Sequence, residues 1–243
     1  MKKVKNNILL SLYTSYIFQR TTKLVITISF IILTLFLYFN ASSLSNDSKY
    51  LINYEDIHNA YFSQSILVVE ILNSIICCII SYLLASNSLS FDSLFISYIS
   101  RKKIYVSKII VIFIVVLNII LIEELLILGL GTFKFSRLVI DYQVFLSFIY
   151  LYISLMFEVL VYLLLSSISN NIFVPIIGLF VSIVTKITLN NNSKLICYIE
   201  EFIPTINIDS FILKMNNPII GFIYIILFSL LFLSVNEIKE IHY

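Results

Sequence analysis

Apolar residues in this chain come in long, unalternating blocks separated by short polar stretches. Strands of a membrane barrel alternate lipid-facing and lumen-facing side chains, so blocks of this kind predict helices instead. A hydrocarbon core of about 30 Å takes roughly 20 helical residues at about 1.5 Å each. Blocks of that order run from Leu24 to Phe39, Ser65 to Leu84, Ile104 to Ile122 with room to extend to Leu130, Val144 to Ile168, Ile172 to Leu189 and Ile219 to Val235. The expectation is an all-α integral membrane protein, with about six transmembrane helices in a single domain over residues 1–243.

Two shorter segments carry a two-faced pattern. Ahead of the first block, Ile8, Leu9, Leu12, Tyr13 and Tyr16 recur at helical spacing while Asn7, Ser11, Thr14 and Ser15 fall largely opposite. That arrangement predicts an interfacial helix lying among the headgroups, drawn to anionic lipid by Lys2, Lys3 and Lys5. Between the second and third blocks, Phe91, Leu94, Phe95, Tyr98 and Ile99 share one helical face, and Asp92, Ser93, Ser97, Ser100 and Arg101 lie mostly on the other. Ser169-Asn170-Asn171 reverses the chain in far fewer residues. The extra length implies an extra task, either anchoring at the headgroups or docking of a cytoplasmic protein. A third stretch, Asn190 to Asn217, mixes Leu195, Ile196, Tyr198, Ile199, Phe202 and Ile203 with Glu200, Glu201 and Pro204, which fits an amphipathic piece dipping into the outer leaflet.

Composition agrees with the pattern. With 60% hydrophobic and 12% charged residues among 243, and a mean hydropathy of +1.00, the apolar side chains exceed what one soluble core can bury. Four Gly and three Pro leave the blocks free to be continuous helix. Cys77 and Cys78 sit together inside an apolar block and Cys197 stands alone, so no disulfide framework is expected. His58 and His242 are far from them in sequence, and no metal site is expected.

Charge sets the orientation. If the N-terminus is inside, cytoplasmic positions carry Lys2, Lys3, Lys5, Arg20, Lys23, Arg101, Lys102, Lys103, Lys108 and Lys239, against Lys49, Lys134, Arg137, Lys186, Lys194 and Lys214 outside. The bias favours both termini on the cytoplasmic side. Asn40-Ala41-Ser42-Ser43 after the first block resembles a signal cleavage site, but basic residues as late as Arg20 and Lys23 make an uncleaved anchor the better reading.

Ionisable residues within the blocks are the candidates for chemistry, because a carboxylate at membrane depth is costly and usually faces a partner or a wet cavity. Glu158 lies about 20 Å along the fourth block, the best-placed intramembrane acid. Its plain reading is a carboxyl hydrogen-bonded between helices; the functional one is a substrate or proton role. Counted from Lys108, Glu123 and Glu124 fall near the outer interface, where they are expected to reach toward water. Glu70 and Lys186 each fall within about 10 Å of the outer surface and are a candidate ion pair if the second and fifth helices touch.

The order and spacing of these features resemble the permease subunits of bacterial type-2 ABC exporters. That family has an N-terminal interfacial helix, six spans, and a cytoplasmic coupling helix between the second and third spans that ends in a Ser-Arg-basic step followed by a Lys. Here Ser100-Arg101-Lys102-Lys103 and Lys108 supply it, Leu165 to Asn171 matches the tight turn between the fourth and fifth spans, and Phe202-Ile203-Pro204 matches the extracellular excursion before the last. The resemblance implies a coupling surface at Phe91, Leu94, Phe95, Tyr98, Arg101 and Lys102, and an extracellular gate at Phe202 and Pro204. It also implies a separate cytoplasmic ATPase carrying ATP and Mg, a second permease subunit, identical or related, and export of a peptide, antibiotic or other amphipathic substrate. Independently of the resemblance, the chain has no G-x-x-x-x-G-K-[ST] segment to cradle phosphates, since no Gly is followed by Lys. Taken with the resemblance, this implies a transport subunit in the cell membrane, with no cofactor of its own and no nucleic-acid partner.

The rival expectation is an ion- or proton-coupled carrier or channel that works through Glu158 and needs no nucleotide. A membrane-embedded enzyme is disfavoured, because no paired His, acid-rich metal motif or nucleophile with a base falls at membrane depth.

Overall fold

Each apolar block becomes a helix because the bilayer offers no water to the backbone, and helical hydrogen bonding satisfies every interior N–H and C=O. A computed structural model describes residues 20–47, 54–86, 101–135, 142–169, 173–189, 206–207, 214–215 and 218–241. Six helices occur among them: α1 (Arg20–Asp47), α2 (Tyr54–Ser86), α3 (Arg101–Phe135), α4 (Tyr142–Ser169), α5 (Phe173–Leu189) and α6 (Pro218–Ile241). Strands β1 (Ile206–Asn207) and β2 (Lys214–Met215) pair antiparallel, Ile206 opposite Met215, and rest against α4. Pro218 opens α6 and Pro175 sits in the first turn of α5, where a missing N–H breaks no intrahelical bond.

Five of the helices, all but α5, are long and apolar enough to cross a membrane. The 17 residues of α5 reach about 26 Å at ~1.5 Å each, the short end of what a bilayer requires. At its N-terminal end the second span reaches beyond the expected Ser65, to Asn59, and at its C-terminal end the third runs past Leu130 to Phe135. Those longer ends move Glu70 and Glu123 toward mid-membrane.

The bundle is built around α4. It packs most extensively on α2 and α6, and also touches α3 and α5, while α1 lies against α2 and α3. Leu151, Leu155, Val159, Leu160 and Leu163 of α4 are fully buried, as are Leu33 and Leu37 of α1, which face the bundle in a narrow stripe that ends in Ala41. The outer sides of α1, α5 and α6 carry Ile31, Leu35, Phe180, Phe222, Ile226 and Leu230 in exposed positions, the surface that lipid tails cover in a multi-pass membrane protein. Lipid is as apolar as leucine, so burial alone draws such helices together weakly; close packing and interhelical hydrogen bonds hold them.

Those contacts are specific. Phe157 of α4 meets Phe228 and Tyr224 of α6, the former edge-on at 5.3 Å between ring centroids. Tyr61 of α2 lies edge-on to Phe135 and donates its hydroxyl to the Ile127 carbonyl of α3 at 3.0 Å. Gly131 admits this ring, since a Cβ there would meet Tyr61 Cε1 at 3.0 Å. At the other end of α3, Tyr105 packs edge-on to Phe232, and the buried Lys108 holds its ammonium 5.2 Å from the Tyr105 ring centre. Many remaining hydroxyls bond back to their own helix, as Thr34 does to the Phe30 carbonyl and Ser65 to that of Tyr61, which makes them tolerable in an apolar setting.

Candidate functional site

Polar side chains recur along one face of α2 and along the facing side of α4. On α2 they are Glu70, Ser74, Cys77 and Ser81; on α4 they are Ser147, Ser154, Glu158, Tyr162 and Ser166. Steps of three, four and seven residues hold each set on one helical stripe, and all nine residues are buried. Both helices thus bring their polar stripe to the contact that forms the centre of the bundle.

Glu158 is the junction. Ser74 of α2 donates to Glu158 Oε2 at 2.6 Å, and Ser182 of α5 donates to Oε1 at 2.9 Å. One carboxyl group from α4 therefore ties α2 and α5 to it. By helix rise Glu158 stands about 20 Å from Phe145 and Ser182 about 14 Å from Phe173, so the three helices meet at mid-membrane. Close approach of α5 to α4 depends on Gly178, one turn before Ser182, where a Cβ would meet Leu165 Cδ1 at 2.9 Å. Tyr162, one turn beyond Glu158 and 1% exposed, lies beside Ser182 and within electrostatic reach of Glu158, Cys77 and Cys78; its hydroxyl makes no hydrogen bond of full geometry.

A second acid sits on the other side of α2. Asn73 donates its amide to Glu123 Oε2 of α3 at 2.6 Å, and both side chains are 2% exposed. Sequence reasoning expected Glu123 at the outer interface. It turns inward instead, because α3 continues to Phe135 and leaves Glu123 about 18 Å from that end. Glu70, 1% exposed, lies on the α2 stripe one turn before Ser74 and about 17 Å from Asn59, deeper than the expected 10 Å. Three carboxyl groups are thus gathered near mid-membrane on α2, α3 and α4.

Of the residues singled out in the sequence, Glu158 and Glu70 fall within this polar centre. The second and fifth helices do pack together, as the suggested pairing of Glu70 with Lys186 requires, but the Lys186 side chain lies outside the described residues. The same holds for the side chains of Arg101 and Lys102, which begin α3, and for all of Phe91, Leu94, Phe95, Tyr98, Phe202, Pro204 and the 8–16 segment. Sequence reasoning missed Asn73, Ser74, Tyr162 and Ser182. The signal for the α4 stripe was present as polar residues four apart in an otherwise apolar helix; nothing comparable marked Ser182. Among the described residues no group of three His, Cys, Asp or Glu side chains is placed to hold a metal ion.

No protein-family model, curated protein or solved structure matches the chain.

Proposed function

We propose that this chain is the membrane-spanning subunit of a transporter driven by a separate cytoplasmic ATPase, a permease of the type-2 ABC exporter kind. In this reading α5 crosses as a sixth span, the Ile8–Tyr16 segment supplies the interfacial helix, and the Phe91–Arg101 segment is the coupling surface on which the ATPase pushes. The observation that carries it is the order of elements: a long amphipathic segment after α2 runs directly into Arg101-Lys102-Lys103 at the start of α3. Closure of a nucleotide-driven partner against that segment would act on the end of α3, which packs against α1, α2, α4 and α6. An amphipathic substrate such as a peptide or antibiotic suits the apolar surface of this bundle.

The test is purification in mild detergent with mass identification of the chains that accompany this one. An ATP-binding subunit is expected in the wild-type preparation and lost from the variant carrying Phe95→Asp with Arg101→Glu. A stable complex without any ATPase overturns the reading. One observation favours a second reading, an ion- or proton-coupled carrier: a hydrogen-bonded carboxyl group, Glu158, stands at the meeting point of three helices. That carrier would move substrate in proteoliposomes in response to an imposed proton gradient with no nucleotide present.

A further inference from the structure

We propose that Glu158 is a reversible proton-binding site, and that Ser74 is the hydroxyl switch that fits it to both of its protonation states. The inference deepens the reading in which Glu158 takes up a proton, and it does not depend on whether an ATPase partners the chain.

The geometry at Ser74 carries it. Its Oγ lies 2.6 Å from Glu158 Oε2 and also 2.9 Å from the backbone carbonyl oxygen of Glu70. A serine hydroxyl has one hydrogen to donate and lone pairs to accept with, whereas the Glu70 carbonyl only accepts. Two arrangements therefore satisfy the same heavy-atom positions. With Glu158 ionised, Ser74 donates to Oε2. With a proton on Oε2, Glu158 donates to Ser74 Oγ, and Ser74 turns its own hydrogen to the Glu70 carbonyl. The proton arrives from the aqueous phase and forms one O–H bond at Oε2; the O–H bond of Ser74 rotates and does not break. Both protonation states are accommodated without moving a helix.

Tyr162 lies beside the same carboxyl group. It is 1% exposed, sits one turn from Glu158, and its hydroxyl makes no hydrogen bond of full geometry although Ser182 and Glu158 are its neighbours. Ser182 donates to Oε1 in either state, fixing that oxygen as the carbonyl-like one when the proton is bound. Among the described residues, the titratable groups nearest the site are Glu70, Cys77 and Cys78 from α2 and Tyr162 on α4 itself; Glu123 of α3, held by Asn73, lies across α2, and Tyr224 of α6 packs on the neighbouring Phe157.

Infrared difference spectra of the purified protein in lipid nanodiscs, taken between acidic and alkaline buffer, read this directly. A protonated carboxyl C=O stretch is expected to disappear as pH rises in the wild type and to be absent at all pH values from Glu158→Gln. Glu70→Gln and Glu123→Gln are expected to retain it. Ser182→Ala keeps Glu158 and tests the assignment without removing the acid: its band is expected to move to higher wavenumber, because the C=O has lost its hydroxyl donor. A Glu158→Gln protein with all the titrating bands of the wild type overturns the proposal, as does a band that Ser182→Ala leaves in place. Absence of a co-purifying ATPase would alter none of these spectra, so failure of the transport reading and failure of this one are separable.

Discussion

At the scale of single residues, the decisive feature is that a few buried polar side chains reach partners on other helices. Asn73 and Glu123 are the clearest pair, a direct amide-to-carboxyl bond between two nearly inaccessible side chains. Replacing Asn73 with Leu leaves that carboxyl oxygen without its donor, and the expected loss is about 1–3 kcal/mol, toward the lower end for helices in lipid. Adding Glu123→Leu removes the orphaned acceptor as well, so the double variant is expected to regain part of the loss; thermal unfolding in detergent across the cycle measures it. An additive double variant would mean the bond contributes nothing. How far such residues were legible in sequence depends on type. Glu158 stood out because an acid in the middle of an apolar block has no nearby water. Ser74 and Ser182 did not, because a serine within an apolar helix ordinarily bonds its own backbone four residues back, as Ser74 also does, and only the packing of α2 and α5 on α4 brings these two hydroxyls to Glu158.

At the scale of elements, α5 is the helix whose place depends most on few contacts. It is short, half of its described residues are exposed, and it meets α4 where Gly178 lies against Leu165 and Tyr162. The 2.9 Å contact that a Cβ would make is with the end of a leucine side chain, which can rotate. Gly178→Ala is therefore expected to be mild, below about 1 kcal/mol, whereas Gly178→Leu forces the helices apart and is expected to lose about 1–3 kcal/mol. Separation at Gly178 also draws Ser182 from Glu158, so the Leu variant and Ser182→Ala should together lose less than the sum of the two, read by the same unfolding measurement. A comparable test applies between α2 and α3. Tyr61→Phe keeps the edge-on contact with Phe135 but deletes the bond to the Ile127 carbonyl, and a loss of about 1 kcal/mol is expected. Helix existence was legible from the apolar runs; helix ends were not. At Asn59 and Phe135 the helices continue into residues that the apolar pattern leaves out, because a helix does not stop where hydrophobicity does unless Gly or Pro ends it.

At the scale of the whole molecule, the number of crossings decides which side each terminus occupies, and α5 decides the number. Five helices are of crossing length and composition, which taken alone would put the two ends of the chain on opposite faces. If α5 crosses too, both ends share a face. Two physical facts argue that it does. Its 17 residues reach about 26 Å, enough for a hydrocarbon core that thins slightly or for flanking residues that extend to the interface. Ser182, in its middle, bonds to Glu158 in the middle of α4, a match in depth that a crossing α5 requires. The Lys and Arg bias then favours both ends facing the cytoplasm, with ten basic residues inside, from Lys2 to Lys239, against six outside. Single cysteines placed at Asn6 and at Glu240, in a chain whose own cysteines are changed to Ser or Ala, report this directly. Neither is expected to react with a membrane-impermeant maleimide in intact cells, and both are expected to react once the membrane is opened. Labelling of the Glu240 position alone in intact cells would mean that α5 does not cross, and would place the Ser182–Glu158 contact in a half-spanning helix.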